Sequence, residues 1–150
     1  MERTLVLLKP DAIQRALAGS IIKRIEDKGL KIVGMKLMKV STNLAEKHYS
    51  EHVDRPFFGG LVKFITSSPI IAMAIEGPGA IAVIRNIMGI TDPQSAPPGT
   101  IRGDYGLEIG LNLVHGSDSA ESAARELALF FTDQEIVSYH KASDPWIIES

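Results

Sequence analysis

Four short strand-like runs, separated by segments with helical spacing, restrict this chain to a layered arrangement of helices on a small sheet. RTLVLL (3–8) and IIAMAIEG (70–77) are continuous apolar runs of the kind found in buried strands. KIVGMKLMKV (31–40) alternates polar and apolar residues, which is typical of a half-solvated antiparallel strand. LNLVH (111–115) predicts a fourth, shorter strand. The pattern indicates an α/β sandwich with about four strands, and the residues alone leave the strand order open.

The segments between these runs predict helices. The expected helices span 13–28, about 43–51, 57–66, 79–88 and 119–131. Pro78 is expected at the first turn of the fourth helix, since proline is common at that position. Prolines and glycines are dense over 89–106, so we expect an irregular loop there, and loops of that length are usually functional. The last helix is expected to bury a stripe formed by Ala120, Ala123, Ala124, Leu127 and Phe131.

Length, charge and cysteine content limit the classes of protein that fit. The 150 residues suit a single domain over 1–150. The 16 basic and 18 acidic side chains nearly cancel, so nucleic acid is not expected as the main ligand and no membrane association is expected. Cysteine is absent, which excludes disulfides and thiolate metal sites. The apolar run Leu5–Leu8 is too short for a signal-peptide core, and we expect a cytoplasmic protein.

Two motif matches are not supported by their surroundings. GPGAIA (77–82) satisfies a loose dinucleotide-binding pattern, but the acidic residue expected roughly 20 positions later would fall in the Pro/Gly-rich loop. HYSEH (48–52) matches an inverted zinc-peptidase motif. A catalytic zinc needs a third protein ligand, and nothing downstream marks one. We therefore expect solvated histidines at 48 and 52 and no metal held by dedicated protein ligands.

His115 stands between a predicted strand end and a predicted helix start. Residues 118–121 carry the capping-box pattern D-x-x-E, and free amides at a helix start attract anions. Ser119, Ser122 and Glu126 share one helical face, which allows Glu126 to look toward the strand end. A carboxylate or hydroxyl beside an imidazole fixes its tautomer and strengthens its nucleophilicity. This spacing fits a reactive histidine, and it fits a buried, hydrogen-bonded histidine equally well.

Three separated cations and an aromatic pair favour the reactive alternative. Lys9 follows the first strand, Arg85 lies on the helix before the loop, and Arg102 lies inside the loop. Together with His115 they suit an anionic phosphate chain. Phe57, in RPFF, is placed to offer a flat ring at a helix start.

Six stretches in this order resemble the nucleoside diphosphate kinase family across nearly the whole chain. They are KPDAIQR (9–15), RPFFGGLV (55–62), EGPGAIAVIR (76–85), TDP (91–93), GTIRGDYG (99–106) and NLVHGSDSAESAARE (112–126). The resemblance implies an α+β sandwich of the ferredoxin-like type, with a four-stranded antiparallel sheet covered by helices. It also implies transfer of the terminal phosphoryl group from a nucleoside triphosphate to a nucleoside diphosphate, in a ping-pong reaction through a phosphohistidine on His115.

The same resemblance implies roles for individual residues. The expected catalytic group is His115, Glu126, Ser117, Lys9 and Tyr49. The expected nucleotide-binding group is Lys9, Phe57, Leu61, Arg85, Thr91, Arg102 and Asn112. Mg²⁺ would be held mainly by the nucleotide phosphates. Ala12 and Ala16 stand where the family often has glycine, and Leu111 stands where arginine is common, which puts local backbone detail and one surface contact in question.

The expected partners are nucleoside tri- and diphosphates and further copies of the chain. The tail ending in WIIES resembles that of hexameric family members, in which the loop carrying Pro93 lies where trimers meet. An apolar tail with Trp146 is expected to pack on something. The alternative function is a non-catalytic nucleotide-binding or regulatory module of the same fold. Such a module would be expected to lack the histidine or one of the cations, and this chain has them all.

Overall fold

A four-stranded antiparallel sheet with helices on both faces forms the architecture of this protein, as described over residues 1–149 by a computed structural model. The strands are β1 (Glu2–Leu8), β2 (Lys31–Met38), β3 (Ile70–Gly77) and β4 (Val114–Gly116). Their order in the sheet is β2-β3-β1-β4. The predicted ferredoxin-like fold is confirmed, and the strand order that the residues left open is now defined.

The strand β1 lies inside the sheet, between β3 and β4. It pairs with β3 along its whole length and with β4 over three residues, where Leu7 faces His115. Side chains of β1 alternate between two buried clusters: Val6 and Leu8 belong to one, Leu5 and Leu7 to the other. A continuous apolar run is needed because both faces of this strand are covered.

Seven helices cover the sheet within the described residues. They are α1 (Pro10–Gln14), α2 (Ala18–Asp27), α3 (Thr42–His48), α4 (Phe58–Ile65), α5 (Ala80–Met88), α6 (Ile101–Tyr105) and α7 (Ala120–Phe130). The clusters assign α1, α2 and α5 to one face of the sheet and α3, α4 and α7 to the other. Short 3₁₀ turns lie at Ser50–His52, Ile109–Leu111, Asp133–Glu135 and Asp144–Trp146.

The first predicted helix, over 13–28, is two helices with a break between them. Ala16 has a φ of 55°, in the left-handed region that residues with a Cβ adopt at a cost of about 1 kcal/mol. This is one of the two positions where the family often has glycine, and the conformation explains that preference. The spacing of apolar residues did not reveal the break, because Leu17 and Ile21, on either side of the start of α2, pack against the same buried cluster.

The segment before α5 and the Pro/Gly-rich loop also differ from expectation. Pro78 lies in a turn, and Gly79, with a φ of 61°, is the residue that caps the helix. The loop over 89–106 is not wholly irregular, because Thr100 caps the short helix α6 through its side chain. A hydroxyl that accepts a backbone N–H at a helix start stabilises such a turn.

The predicted strand 111–115 is displaced toward its C-terminal end. β4 begins at Val114, so His115 lies in the middle of a short strand instead of at its end. Leu113, the residue before β4, is fully buried and has a φ of 74°, which interrupts the extended backbone. The displacement results from a backbone conformation that the apolar pattern does not encode.

The helix α7 starts one residue later than the D-x-x-E pattern indicates. Ser119 is the cap, and its hydroxyl accepts the N–H of Ser122. Ala120 and Ala124, expected in the core, are exposed, whereas Glu126 is buried. The helix therefore turns part of its polar face inward, toward His115.

The tail does not bury its tryptophan within the chain. Trp146 is 90% exposed, and the predicted packing of that side chain is absent from the single chain over residues 1–149. Ile147 does make one contact, against Gly29, where an added Cβ would come within 2.6 Å of its side chain. None of the helices in the described chain combines the length and the apolarity that a membrane span requires.

Candidate active site

A cleft of about 610 Å³ opens beside β4, between α4, α7 and the loop that follows α5. Every predicted site residue except Ser117 lines this cleft. Ser117 is fully buried behind it and contacts the lining residue Glu126. Residues distant in sequence thus meet at one concave surface, as the sequence predicts.

His115 is held by a buried carboxylate. Its Nε2 lies 2.6 Å from Oε1 of Glu126, and the Ser117 hydroxyl donates to the same oxygen at 2.8 Å. Ser117 is itself anchored to β1, since the N–H of Leu5 donates to its Oγ at 3.4 Å. An ionised carboxylate only accepts hydrogen bonds, so Nε2 must carry the proton and the neutral ring keeps its lone pair on Nδ1.

The charge of Glu126 is maintained in spite of its burial. Burial disfavours the charged carboxylate, but the hydrogen bonds that it accepts from His115 and Ser117 hold its pKa below the usual range. The group is therefore an anion at neutral pH and a permanent acceptor for Nε2–H.

His48 is buried, and the prediction of a solvated histidine at this position is wrong. It is 4% exposed, and its ring packs edge-to-face on that of His115, with centroids 4.7 Å apart. Burial, with a smaller contribution from the neighbouring imidazole of His115, lowers the pKa of His48 to about 3, so the ring is neutral. Its neighbour Tyr49 is also buried, and burial, with the negative charge of Glu126, raises the pKa of that phenol to about 12.

Lys9, Asn112 and Thr91 form a hydrogen-bonded chain across the floor of the cleft. Lys9 Nζ donates to Asn112 Oδ1 at 2.9 Å, and Asn112 Nδ2 donates to the Thr91 carbonyl at 3.0 Å. Burial, together with the charge of Arg102, lowers the pKa of Lys9 to about 8. An anion bound here would stabilise the charged form of this lysine and raise its pKa again.

The backbone beside Asn112 is strained and tied down on both sides. Leu113, in its left-handed conformation, accepts the Lys9 N–H at 2.8 Å and donates its own N–H to Asp11 Oδ2 at 3.1 Å. Strained residues held in this way concentrate at functional sites. The contacts fix the positions of the Lys9 and Asn112 side chains.

Arg102 holds the loop as well as facing the cleft. Its guanidinium donates to three backbone carbonyls, those of Gly89, Asn112 and Val114, at 3.0, 3.1 and 2.7 Å. Burial and the nearby Arg85 lower the pKa of Arg102 to about 10. Arginine has five N–H donors, so two remain for a ligand.

Arg85, Phe57 and Leu61 lie at the mouth of the cleft. Arg85 is exposed and makes one backbone contact, to the Gly116 carbonyl at 3.2 Å. Phe57 is 51% exposed and its ring lies 5.4 Å from that of His52, while Leu61 is half-buried one helical turn along α4. An exposed flat ring beside cations suits a ligand with an aromatic part and an anionic part.

Sequence reasoning missed several lining residues. His48, Asp118 and Arg125 face the cleft, and Arg125 Nη2 lies 3.7 Å from Glu126 Oε2. The position of Arg125, next to Glu126 on α7, is a signal that could have been used. The burial of His48 has no comparable signal, because it depends on the packing of α3 against α7.

Comparison with known proteins gives a consistent result. The model of the nucleoside diphosphate kinase family matches residues 2–136. This chain belongs to the nucleoside diphosphate kinase family. It is 57% identical to a nucleoside diphosphate kinase of Carboxydothermus hydrogenoformans, with 99% of this chain and 100% of the relative covered, and 59% identical to one of Oceanobacillus iheyensis, with 98% and 99% covered.

A solved structure agrees at the level of the fold. The halophilic nucleoside diphosphate kinase of Halobacterium salinarum, in complex with CDP, superimposes with a TM-score of 0.96 at 53% identity, covering 99% of each chain. The protein is an enzyme that transfers a phosphoryl group from a nucleoside triphosphate to a nucleoside diphosphate, as its family does.

The lowered pKa of Lys9 predicts a loss of nucleotide affinity above pH 8. A lysine with a pKa of about 8 is charged below that pH and neutral above it, so a phosphate loses one charge-assisted partner as the pH rises. Because a bound anion raises this pKa again, binding takes up a proton. We expect ADP to bind about tenfold more weakly at pH 9 than at pH 7, as measured by titration calorimetry.

Lys9→Met is the matched control, because it keeps the length of the side chain without its charge. This variant should bind weakly at both pH values, with little dependence on pH. A pH dependence equal to that of the parent enzyme would show that another group is responsible.

Proposed function

We propose that His115 is the nucleophile of the transfer and that the reaction proceeds through two half-reactions. In the first, the Nδ1 lone pair forms a bond to the terminal phosphorus of the triphosphate, the bond to the bridging oxygen breaks, and the diphosphate leaves. In the second, a terminal oxygen of another diphosphate attacks that phosphorus and the N–P bond breaks. The observation that carries this proposal is the 2.6 Å contact of Nε2 with Glu126, which leaves Nδ1 as the free nitrogen.

The buried carboxylate has a specific role in this scheme. Phosphorylation of Nδ1 while Nε2 keeps its proton gives the ring a positive charge, and the ionised Glu126 stabilises that charge. Ser117 keeps the carboxylate in place through its hydrogen bond. Neither group has to move or change protonation state during the transfer, which is what a preorganised site requires.

The remaining predicted residues would bind the nucleotide. Phe57 and Leu61 would pack on the base, because stacking accepts any base and low base specificity follows from it. Lys9, Arg85, Thr91, Arg102 and Asn112 would hold the ribose and the phosphates, with Tyr49 beside His115. Support comes from their shared cleft, and from the CDP complex of the Halobacterium salinarum relative.

Mg²⁺ would enter this site with the nucleotide. Magnesium prefers oxygen ligands. Among residues 1–149 the one group of three potential metal ligands, His48, His115 and Glu126, offers two nitrogens. The other two carboxylates that line the cleft, Glu51 and Asp118, are both exposed. The residues present therefore suit an ion held mainly by phosphate oxygens. Bound there, it would neutralise charge on the phosphates during transfer.

A non-catalytic nucleotide-binding module is the alternative, and the site argues against it. A module that had lost transfer would have no need for a buried anion beside a histidine, because that arrangement costs free energy of desolvation. We also propose that the 150 residues form one catalytic domain. Nucleotides are made and consumed inside the cell, so we propose the cytoplasm as its compartment. The formal charge of −2 does not favour nucleic acid as a main ligand.

We further propose that the enzyme is a homo-oligomer, with a hexamer favoured. Trp146 is 90% exposed and Ile147 is 45% exposed in the single chain, and Leu107 and Ile109 form a second exposed apolar group. Exposed apolar side chains that lie together mark candidate protein–protein interfaces. Light scattering at micromolar concentration should give six times the mass of the chain. A monomer would contradict the proposal, and a tetramer would assign the tail another partner.

The phosphohistidine can be tested by trapping it. Incubation with ATP and Mg²⁺ but no acceptor should leave one phosphoryl group per chain and free ADP. The bond should be labile in acid and stable in base, because a protonated phosphoramidate loses its phosphate easily. Addition of any nucleoside diphosphate should discharge the enzyme, and steady-state kinetics should be ping-pong.

His115→Asn separates this proposal from phosphorylation elsewhere. The variant should fold and bind nucleotide, since the pairing of residue 115 with Leu7 is made by the backbone, yet it should neither accept nor exchange phosphate. Acid-stable phosphate on Ser117 or Ser119 in this variant would contradict the proposal.

A further inference from the structure

His48 is a buried imidazole that the proposed transfer does not use. It is 4% exposed, and both of its ring nitrogens lack a hydrogen-bond partner among the described residues. Burial of an unpaired polar group costs free energy, so such groups are uncommon in folded proteins. The neutral ring therefore has a nitrogen lone pair that is available to a ligand.

Two further donor atoms lie close to that ring. His48, His115 and Glu126 each offer one potential metal-ligand atom, and the three atoms lie within 4.8 Å of one another. Two imidazole nitrogens and one carboxylate oxygen, with a fourth position open to water, are a donor set used by zinc. Bonds of about 2.1 Å place tetrahedral ligands roughly 3.3 Å apart, so shifts of about an ångström would close the site.

We propose that His48, His115 and Glu126 form an inhibitory binding site for Zn²⁺ or a similar transition-metal ion, reached through the nucleotide cleft. The site is separate from the magnesium that accompanies the nucleotide, since its donors are mainly nitrogen. The inhibitory part of this proposal rests on His115 being the nucleophile, and the metal-binding part does not.

Charge and donor type decide which ions bind. The cleft carries slightly more cationic than anionic side chains, so the local field is mildly unfavourable to a dication. The cations are Lys9, Arg85, Arg102 and Arg125, and the carboxylates are Glu51, Asp118 and Glu126. A hard ion such as Mg²⁺ gains little from imidazole nitrogen and is disfavoured at this donor set. An ion with strong affinity for nitrogen overcomes the unfavourable field, and the Irving–Williams order places Cu²⁺ and Zn²⁺ ahead of Mn²⁺.

The metal would stop the transfer through the tautomer of His115. Its Nε2 is the nitrogen that faces Glu126, and it now carries the proton. A metal on Nε2 needs the lone pair there, so the proton of the neutral ring moves to Nδ1 through solvent, with no net release. Nδ1 then has no lone pair with which to form a bond to phosphorus. Nucleotide contacts at Phe57 and Arg85 are left in place, and the metal therefore lowers the transfer rate without displacing the nucleotide.

His52 provides a matched control for His48. The HYSEH pattern pairs the two histidines at a spacing of four residues, yet the structure separates them. His52 is exposed and packs on Phe57, and it does not belong to the group of three ligands. In this proposal the motif contains one metal ligand, His48, and its second histidine, His52, is not a ligand.

The test is direct metal binding to the nucleotide-free enzyme. ZnCl₂ titrated into the enzyme in a calorimeter should bind at one equivalent per chain, and Co²⁺ should give the intense visible absorption of a tetrahedral site. His48→Phe should lower the Zn²⁺ affinity by at least about tenfold, and Glu126→Gln should do the same, whereas His52→Phe should retain it. Circular dichroism and ADP binding establish that each variant is folded.

Absence of saturable one-equivalent binding would overturn the proposal, as would unchanged binding in His48→Phe or an equal loss in His52→Phe. Phosphorylation by ATP at buffered free Zn²⁺ tests the inhibitory part. Full phosphorylation of the zinc-loaded enzyme would overturn that part. An enzyme that is not phosphorylated even without zinc would instead overturn the role of His115 as nucleophile, while the calorimetric result would still decide the metal site.

Discussion

The contact between His115 Nε2 and Glu126 Oε1 is the interaction on which the chemistry of this site depends. It joins β4 to α7, and it places an ionised carboxylate where burial alone would favour a neutral acid. Because the carboxylate only accepts, the contact determines which nitrogen of His115 is protonated. In the proposed mechanism, the nucleophilic nitrogen, the tautomer of His115 and the charge that would stabilise its phosphorylated form all follow from this one pair.

The fold supports that pair through backbone contacts. β1 holds β4 through the pairing of Leu7 with His115, and the Ser117 hydroxyl is tied to β1 at Leu5. On the other side, Arg102 donates to three backbone carbonyls and thereby holds the loop that follows α5, which also carries Thr91. Lys9 and Arg102 therefore make contacts within the fold and are also candidates for binding a nucleotide. Their fixed positions allow a chain of nearly zero net charge to gather positive side chains in one place.

The sequence was most informative where a periodic pattern had one interpretation. The continuous apolar runs predicted β1 and β3 because strands covered on both faces need them, and the polar spacing on α7 predicted that Glu126 turns toward His115. It was least informative where tertiary packing decides. His48 carries the same local sequence whether solvated or buried, and only the packing of α3 against α7 buries it. The breaks at Ala16 and Leu113 depend on left-handed backbone that hydrophobic spacing cannot reveal.

The central claim is that Glu126 holds the protonated Nε2 of His115, so that Nδ1 is the nitrogen that reacts. It is tested most directly by long-range ¹H–¹⁵N correlation spectra of the phosphorylated enzyme labelled with ¹⁵N-histidine. The four histidines give separate patterns, and the phosphorylated ring is distinguished by which nitrogen carries phosphorus. The structure predicts phosphorus on Nδ1 of His115, with the proton on Nε2. Phosphorus on Nε2 would contradict the account, because that nitrogen would then have to leave Glu126 before every transfer.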